Sequence, residues 1–199
     1  MEILDVHTHN LESTNSIINI DLDNPDIRER RWYSVGVHPW DSADAGKCRR
    51  FLDTVKEFAS HPQVLAIGEV GLDRLRGADI EAQQRLLSQQ VELAEAVDKP
   101  LILHVVKAYP EIIAMKKSSG SSVDWIIHGF RGKPELAKEL LRHGFYISLG
   151  EKYNEEAAAV IPSSRLLVET DMSDVDIHEL ASRHPQLDYG LADKVFKVG

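Results

Sequence analysis

Leu101-Ile102-Leu103-His104-Val105-Val106 is the stretch on which the fold turns. Five of its six residues are branched aliphatics, and the single polar one is a histidine. A strand with one face in water alternates apolar and polar residues. A strand covered on both faces reads as a near-continuous apolar run, the habit of parallel sheets. The same texture recurs in Ile3–Val6, Ser16–Ile20, Trp32–Val37, Val64–Ile67, Val123–Ile127, Phe145–Leu149 and Leu166–Val168, which makes eight predicted strands. Between the later runs the period changes to that of helices: Ala45–Ser60, Ile80–Val97, Tyr109–Lys117, Lys133–His143, Asn154–Val160 and Asp174–His184. Asp79 suits an N-cap, Pro134 a first helical turn and Gly144 a helix end. Strand–helix alternation predicts βα units around a parallel sheet, and eight strands predict a compact, distorted (β/α)8 TIM barrel. An open doubly wound sheet is the alternative. Only about ten residues separate the first three runs from one another, too few for a helical crossover, so helices are expected to be missing after the first strands. The tail Tyr189–Gly199 is expected to lie on the surface or fray.

The 199 residues suit one domain spanning 1–199. Hydrophobic residues make up 43% and charged residues 28%, an ordinary globular balance. A net charge of -9 argues against a protein that coats nucleic acid non-specifically, because phosphate contacts need clustered Lys and Arg. It leaves room for an enzyme whose local positive charge comes from a bound cation. No apolar run approaches the ~20 residues of a membrane helix. Neither a membrane association nor an obligate protein partner is expected. The chain shows no signal-peptide pattern, and Cys48 is its single cysteine, so a cytoplasmic location is the expectation.

Chemistry gathers where the runs end. In Asp5-Val6-His7-Thr8-His9, alternate residues of a strand share a face, so both imidazoles point one way. Glu69 and Asp73 follow the fourth run, His104 lies in the fifth, His128 follows the sixth, and Glu169 and Asp171 follow the eighth. Burying such groups is costly unless they are paired or hold a cation. In a barrel these ends form the active-site mouth. The pattern predicts a divalent-metal site.

These residues resemble a known family. The segments D-V-H-T-H-N, G-V-H-P-W, I-G-E-V-G-L-D, the histidine after L-I-L, H-G-F-R-G and L-L-V-E-T-D are similar to those of TatD-type DNases, metal-dependent hydrolases on an amidohydrolase-like barrel. The resemblance runs from about Leu4 to Asp171, with the motifs in family order. It implies two divalent ions (magnesium, manganese or zinc). His7, His9 and Asp171 would hold one, His104 and His128 the other, and Glu69 would bridge them. It implies a DNase-like hydrolase of phosphodiester bonds with DNA as substrate, Asp171 orienting or deprotonating the attacking water. The sequence departs from the family in its short first connections, in Arg131 where serine is common, and in Met172-Ser173-Asp174 after E-T-D, with no R-N-E-P run. It looks like a compact bacterial branch.

Other roles stay open at this level. His38 suits phosphate contact or general-acid work, or a hydrogen bond within its own loop. Arg131 suits a phosphate or an acidic neighbour. Glu169 and Asp73 suit support of a ligand, and Trp40 suits base stacking or packing. A metal-dependent phosphatase or amidohydrolase acting on a small molecule, or a non-catalytic metal-binding module, are the competing readings.

Overall fold

The computed structural model describes residues 3–198. Eight parallel strands close on themselves in chain order. They are β1 (Asp5–Thr8), β2 (Ser16–Asn19), β3 (Trp32–Val35), β4 (Val64–Asp73), β5 (Leu101–Val106), β6 (Trp125–Ile127), β7 (Tyr146–Leu149) and β8 (Leu166–Val168). Asp5 of β1 faces Val168 of β8 and closes the ring, so the sheet is a barrel and the open alternative is set aside. The helices are α1 (Ala45–Ala59), α2 (Ile80–Val97), α3 (Tyr109–Ser119), α4 (Pro134–Arg142), α5 (Glu155–Ala158), α6 (Ile177–Ser182) and α7 (Leu191–Val195). As the short spacings predicted, no helix joins β1 to β2 or β2 to β3 among the described residues.

Local chemistry sets these elements. Asp44 accepts from the Gly46 and Lys47 amides at 2.9 Å and starts α1. Asp79 accepts from Ala82 at 2.8 Å and starts α2. Pro134 opens α4, whose free first-turn amides make a proline cheap, and Gly144 follows its end at φ +75°.

The strands look uniformly apolar because each face packs on something. Ile102, Ile126 and Leu167 point into the barrel beside Ile17 and Leu65. Their neighbours Leu101, Leu103, Trp125, Ile127 and Leu166 point outward into the layer shared with the helices. Period 2 therefore persists but is invisible in hydropathy. It also carries the inward column upward from Ile102 to His104, from Ile126 to His128, and from Leu167 to Glu169 and Asp171.

Two findings sharpen the sequence reading. β4 extends past its apolar run to Asp73, so Glu69 sits within a strand whose every residue is buried. Of the two options for the tail, packing is the one observed among the described residues: Leu191, Ala192, Val195 and Phe196 are buried against Ile3, Val6 and Leu65 and stop the barrel's N-terminal end. Asp193 accepts from the Ile3 amide at 2.9 Å and fixes α7 there.

Candidate metal centre

The opposite, C-terminal end of the barrel holds the polar cluster. Register shifts occur in β1 between Asp5 and Thr8 and in β4 between Ile67 and Val70. Such irregularities re-aim side chains. They bring His7 and Glu69 to the barrel axis. The amide of Glu69 donates to Asn19 Oδ1 at 2.9 Å, so the end of β2 anchors the backbone of β4.

Glu69 is the hub. Its Oε2 lies 3.4 Å from His7 Nε2 and 3.6 Å from His9 Nε2. Its Oε1 lies 2.8 Å from His128 Nε2, 2.9 Å from His104 Nδ1 and 3.2 Å from His38 Nε2. Asp171 sits at the rim, with Oδ1 3.8 Å from His7 Nε2 and 3.7 Å from His9 Nε2. Donor atoms of His7, His9 and Glu69 lie within 4.8 Å of one another, as do those of His38, Glu69 and His104.

Surrounding groups fix the rings. His128 Nδ1 lies 3.0 Å from Glu169 Oε1, and Glu169 is fully buried. His104 Nε2 lies 3.3 Å from Asp73 Oδ2, which also accepts from Trp40 Nε1 at 2.6 Å. The other Asp73 oxygen caps Leu75 N at 2.7 Å, so this carboxylate both supports a histidine and holds the next loop. Asp5, the first residue of β1, accepts from Thr170 N at 3.0 Å and Thr170 Oγ1 at 2.6 Å and ties β1 to the segment after β8.

Charge in the cluster is strongly coupled. Burial pushes the Glu69 carboxyl up, but the imidazoles around it, His128 first, hold it well below the usual range. Burial pulls His128 down, and the carboxylates of Glu69 and Glu169 more than reverse this. A hydrogen bond that the His9 ring donates to the Glu69 carboxylate raises His9. Burial raises Asp5 to about 7. The carboxylates thus raise the proton affinity of His9 and His128.

The donor set fits a divalent cation. His7 is fully buried, yet neither ring nitrogen has a hydrogen-bond partner among the described residues. A buried imidazole without a partner, aimed at a carboxylate, is a costly arrangement that a cation would satisfy.

A family model for TatD-related DNases matches residues 5–187. The chain belongs to the TatD-related DNase family. It is 32% identical over 165 residues to the uncharacterized metal-dependent hydrolase YabD of Bacillus subtilis, covering 78% of this chain and 64% of that one. It is 33% identical over 156 residues to a protein named 3'-5' ssDNA/RNA exonuclease TatD in Enterobacter lignolyticus, covering 71% of this chain and 58% of that one. The chain thus spans less than two thirds of the length of these curated relatives. The fold is shared with a TatD-family hydrolase of Entamoeba histolytica at a TM-score of 0.73 and 17% identity, over 99% of this chain and 96% of that one. It is also shared with the TatD homologue YJJV of Escherichia coli at 0.70 and 23%, over 98% and 88%.

Within this TatD-related barrel, His7, His9, Glu69, His38, His104, His128 and Asp171 converge. Arg131 does not join them. It is exposed beyond β6 and forms no ion pair or side-chain hydrogen bond among the described residues. Lys107 is likewise exposed. Asn19 and Asp5 escaped the sequence reading. Asn19 carried the same signal as His104, a polar residue set within an apolar run. His184 stacks on Tyr153 at 4.6 Å, away from the cluster.

Proposed function

We propose that this chain is a divalent-metal-dependent hydrolase of phosphodiester bonds, acting on single-stranded nucleic acid, DNA included, as a DNase-like enzyme. The observation that carries the reading is the division of Glu69: one oxygen serves His7 and His9, the other serves His104 and His128. A carboxylate so divided would be shared by two cations. His7, His9 and Asp171 would hold one ion, His104 and His128 the second, with magnesium, manganese or zinc as candidates. Bound there, such cations supply charge that offsets the phosphate and acidify a nearby water.

The side chains divide the remaining work. Glu169 and Asp73 accept from one nitrogen of His128 and His104 and so turn the other nitrogen toward Glu69. His38 differs. The Trp40 amide donates to its Nδ1 at 3.2 Å, so the neutral ring carries its hydrogen on Nε2. That N–H faces Glu69 Oε1 at 3.2 Å, and with Glu69 engaged by cations it would be free to donate to the reacting phosphate or leaving oxygen. Asp171, a third exposed at the mouth, would orient the attacking water and take its proton. Arg131, exposed and without an ion pair among the described residues, would contact phosphate.

The test is cleavage of a labelled single-stranded oligonucleotide with magnesium or manganese, with Glu69→Ala beside it. Cleavage by wild type and loss in the variant are expected. A metal-loaded wild type that leaves the oligonucleotide intact overturns the nuclease reading and favours a small phosphoester or amide substrate.

A further inference from the structure

Trp40 and Arg76 stand at the rim beside this cluster. The Trp40 indole is 44% exposed, rare for so large an apolar side chain. Its buried edge meets the His38 ring at 4.6 Å and the His104 ring at 5.7 Å between centroids, both edge to face. Its N–H is held by Asp73. Packing alone would not leave the ring this open. The Arg76 guanidinium lies 4.3 Å above the same indole. Arg74, two residues earlier, pairs with Glu111, whereas Arg76 forms no ion pair among the described residues.

The loop that presents Arg76 is built rather than slack. Gln83, 1% exposed, lies in α2 beneath it. Its Nε2 is within hydrogen-bond range of the Asp73, Arg76 and Ala78 carbonyls at 2.9, 2.9 and 2.8 Å. Its Oε1 accepts from Asp73 N at 2.7 Å. Ser42 Oγ accepts from Ala78 N at 2.9 Å. Gly77, at φ +86°, packs so tightly that a Cβ would collide with the Pro39 carbonyl oxygen. The segment bearing Arg76 is therefore locked to the segment bearing Trp40. A guanidinium lying over one part of a half-exposed indole, both carried on tied segments, places one cation beside one flat surface.

We infer that Trp40 and Arg76 form a nucleotide subsite outside the metal centre, taking an unstacked base against the indole and the adjoining phosphate on the guanidinium. The inference rests on the nucleic-acid reading above. It adds that affinity on this acidic chain comes from one aromatic–cation pair rather than a basic patch. Stacking is tolerant of base identity, so the subsite selects single strands without selecting sequence.

Binding rather than cleavage tests it, so its failure is separable from that of the nuclease reading. The probe is fluorescein-labelled hexathymidylate, read by anisotropy in EDTA at several salt concentrations. Wild type is expected to bind. Arg76→Ala is expected to weaken binding about tenfold, equivalent to ~1.4 kcal/mol, and to lower the salt slope by about one, the mark of one lost phosphate contact. Arg76→Lys should keep the slope, which a merely structural role for the arginine would not predict. Trp40→Ala should lower affinity for hexathymidylate more than for an abasic hexamer. Failure of wild type to bind overturns the subsite. So does an Arg76→Ala protein with wild-type affinity and slope.

Discussion

Glu169 offers a sharp test of how the second half of the centre is held. Its carboxylate is fully buried and accepts from His128 Nδ1 at 3.0 Å, while His128 Nε2 faces Glu69 at 2.8 Å. Replacing Glu169 with Ala deletes a charge-assisted hydrogen bond, worth about 1.5–3 kcal/mol. At 1.4 kcal/mol per tenfold, cation affinity at His104 and His128 should fall roughly 10–100-fold, the range seen when the partner of a ligating histidine is lost. Glu169→Gln keeps an acceptor at the same place without its charge. The neutral bond recovers about 0.5–1.5 kcal/mol, so a loss of about tenfold is expected. Calorimetric titration of metal-free protein with manganese measures both, with circular dichroism confirming that each variant is folded. Two folded variants that bind within twofold of wild type would refute the idea that Glu169 acts through His128.

Other outcomes follow from the same contacts. Phe196→Ala should cost roughly 3–5 kcal/mol in urea unfolding, since the ring is 2% exposed against the barrel floor; a cost below 1 kcal/mol would mean that α7 is dispensable. Metal-free protein should melt at a lower temperature at pH 8 than at pH 6. His128 has a raised pKa, so its contribution is full below its unfolded value near 6.5 and is lost as pH rises. Asp5, raised to about 7, must ionise in its buried site over the same interval, and that also destabilises. Equal melting temperatures would contradict both. Manganese affinity should rise from pH 6 to pH 8 with protons released on binding, because the cation displaces protons from His9 and His128; titration in two buffers of different ionisation enthalpy counts them.

The barrel was legible because each strand is packed on both sides and so writes a solid apolar run. The ligand-type residues were legible because most of them continue those runs. What escaped has physical causes. The apolar run of β4 stops at Ile67, yet the strand continues through Gly68 and Gly71 to Asp73, and one bulge there turns Glu69 inward. The tail's helix has only five residues, and its apolar character gains meaning from the open barrel end it fills. The pairings of Asp73 with Trp40, Glu169 with His128 and Asp5 with Thr170 join residues far apart in the chain. No local pattern announces them. His38 was recognised, but its donor role needed the Trp40 amide behind it.

The seam where Asp5 meets Val168 carries a consequence for how the molecule assembles. His7 and His9 stand on one side of it and Asp171 on the other, some 160 residues later in the chain, a separation of the kind that makes late, slow contacts in folding. A cation held by all three would be a clasp on the last joint to form. An intermediate with seven strands in place would lack it, so metal uptake during refolding would time the moment at which the ring shuts.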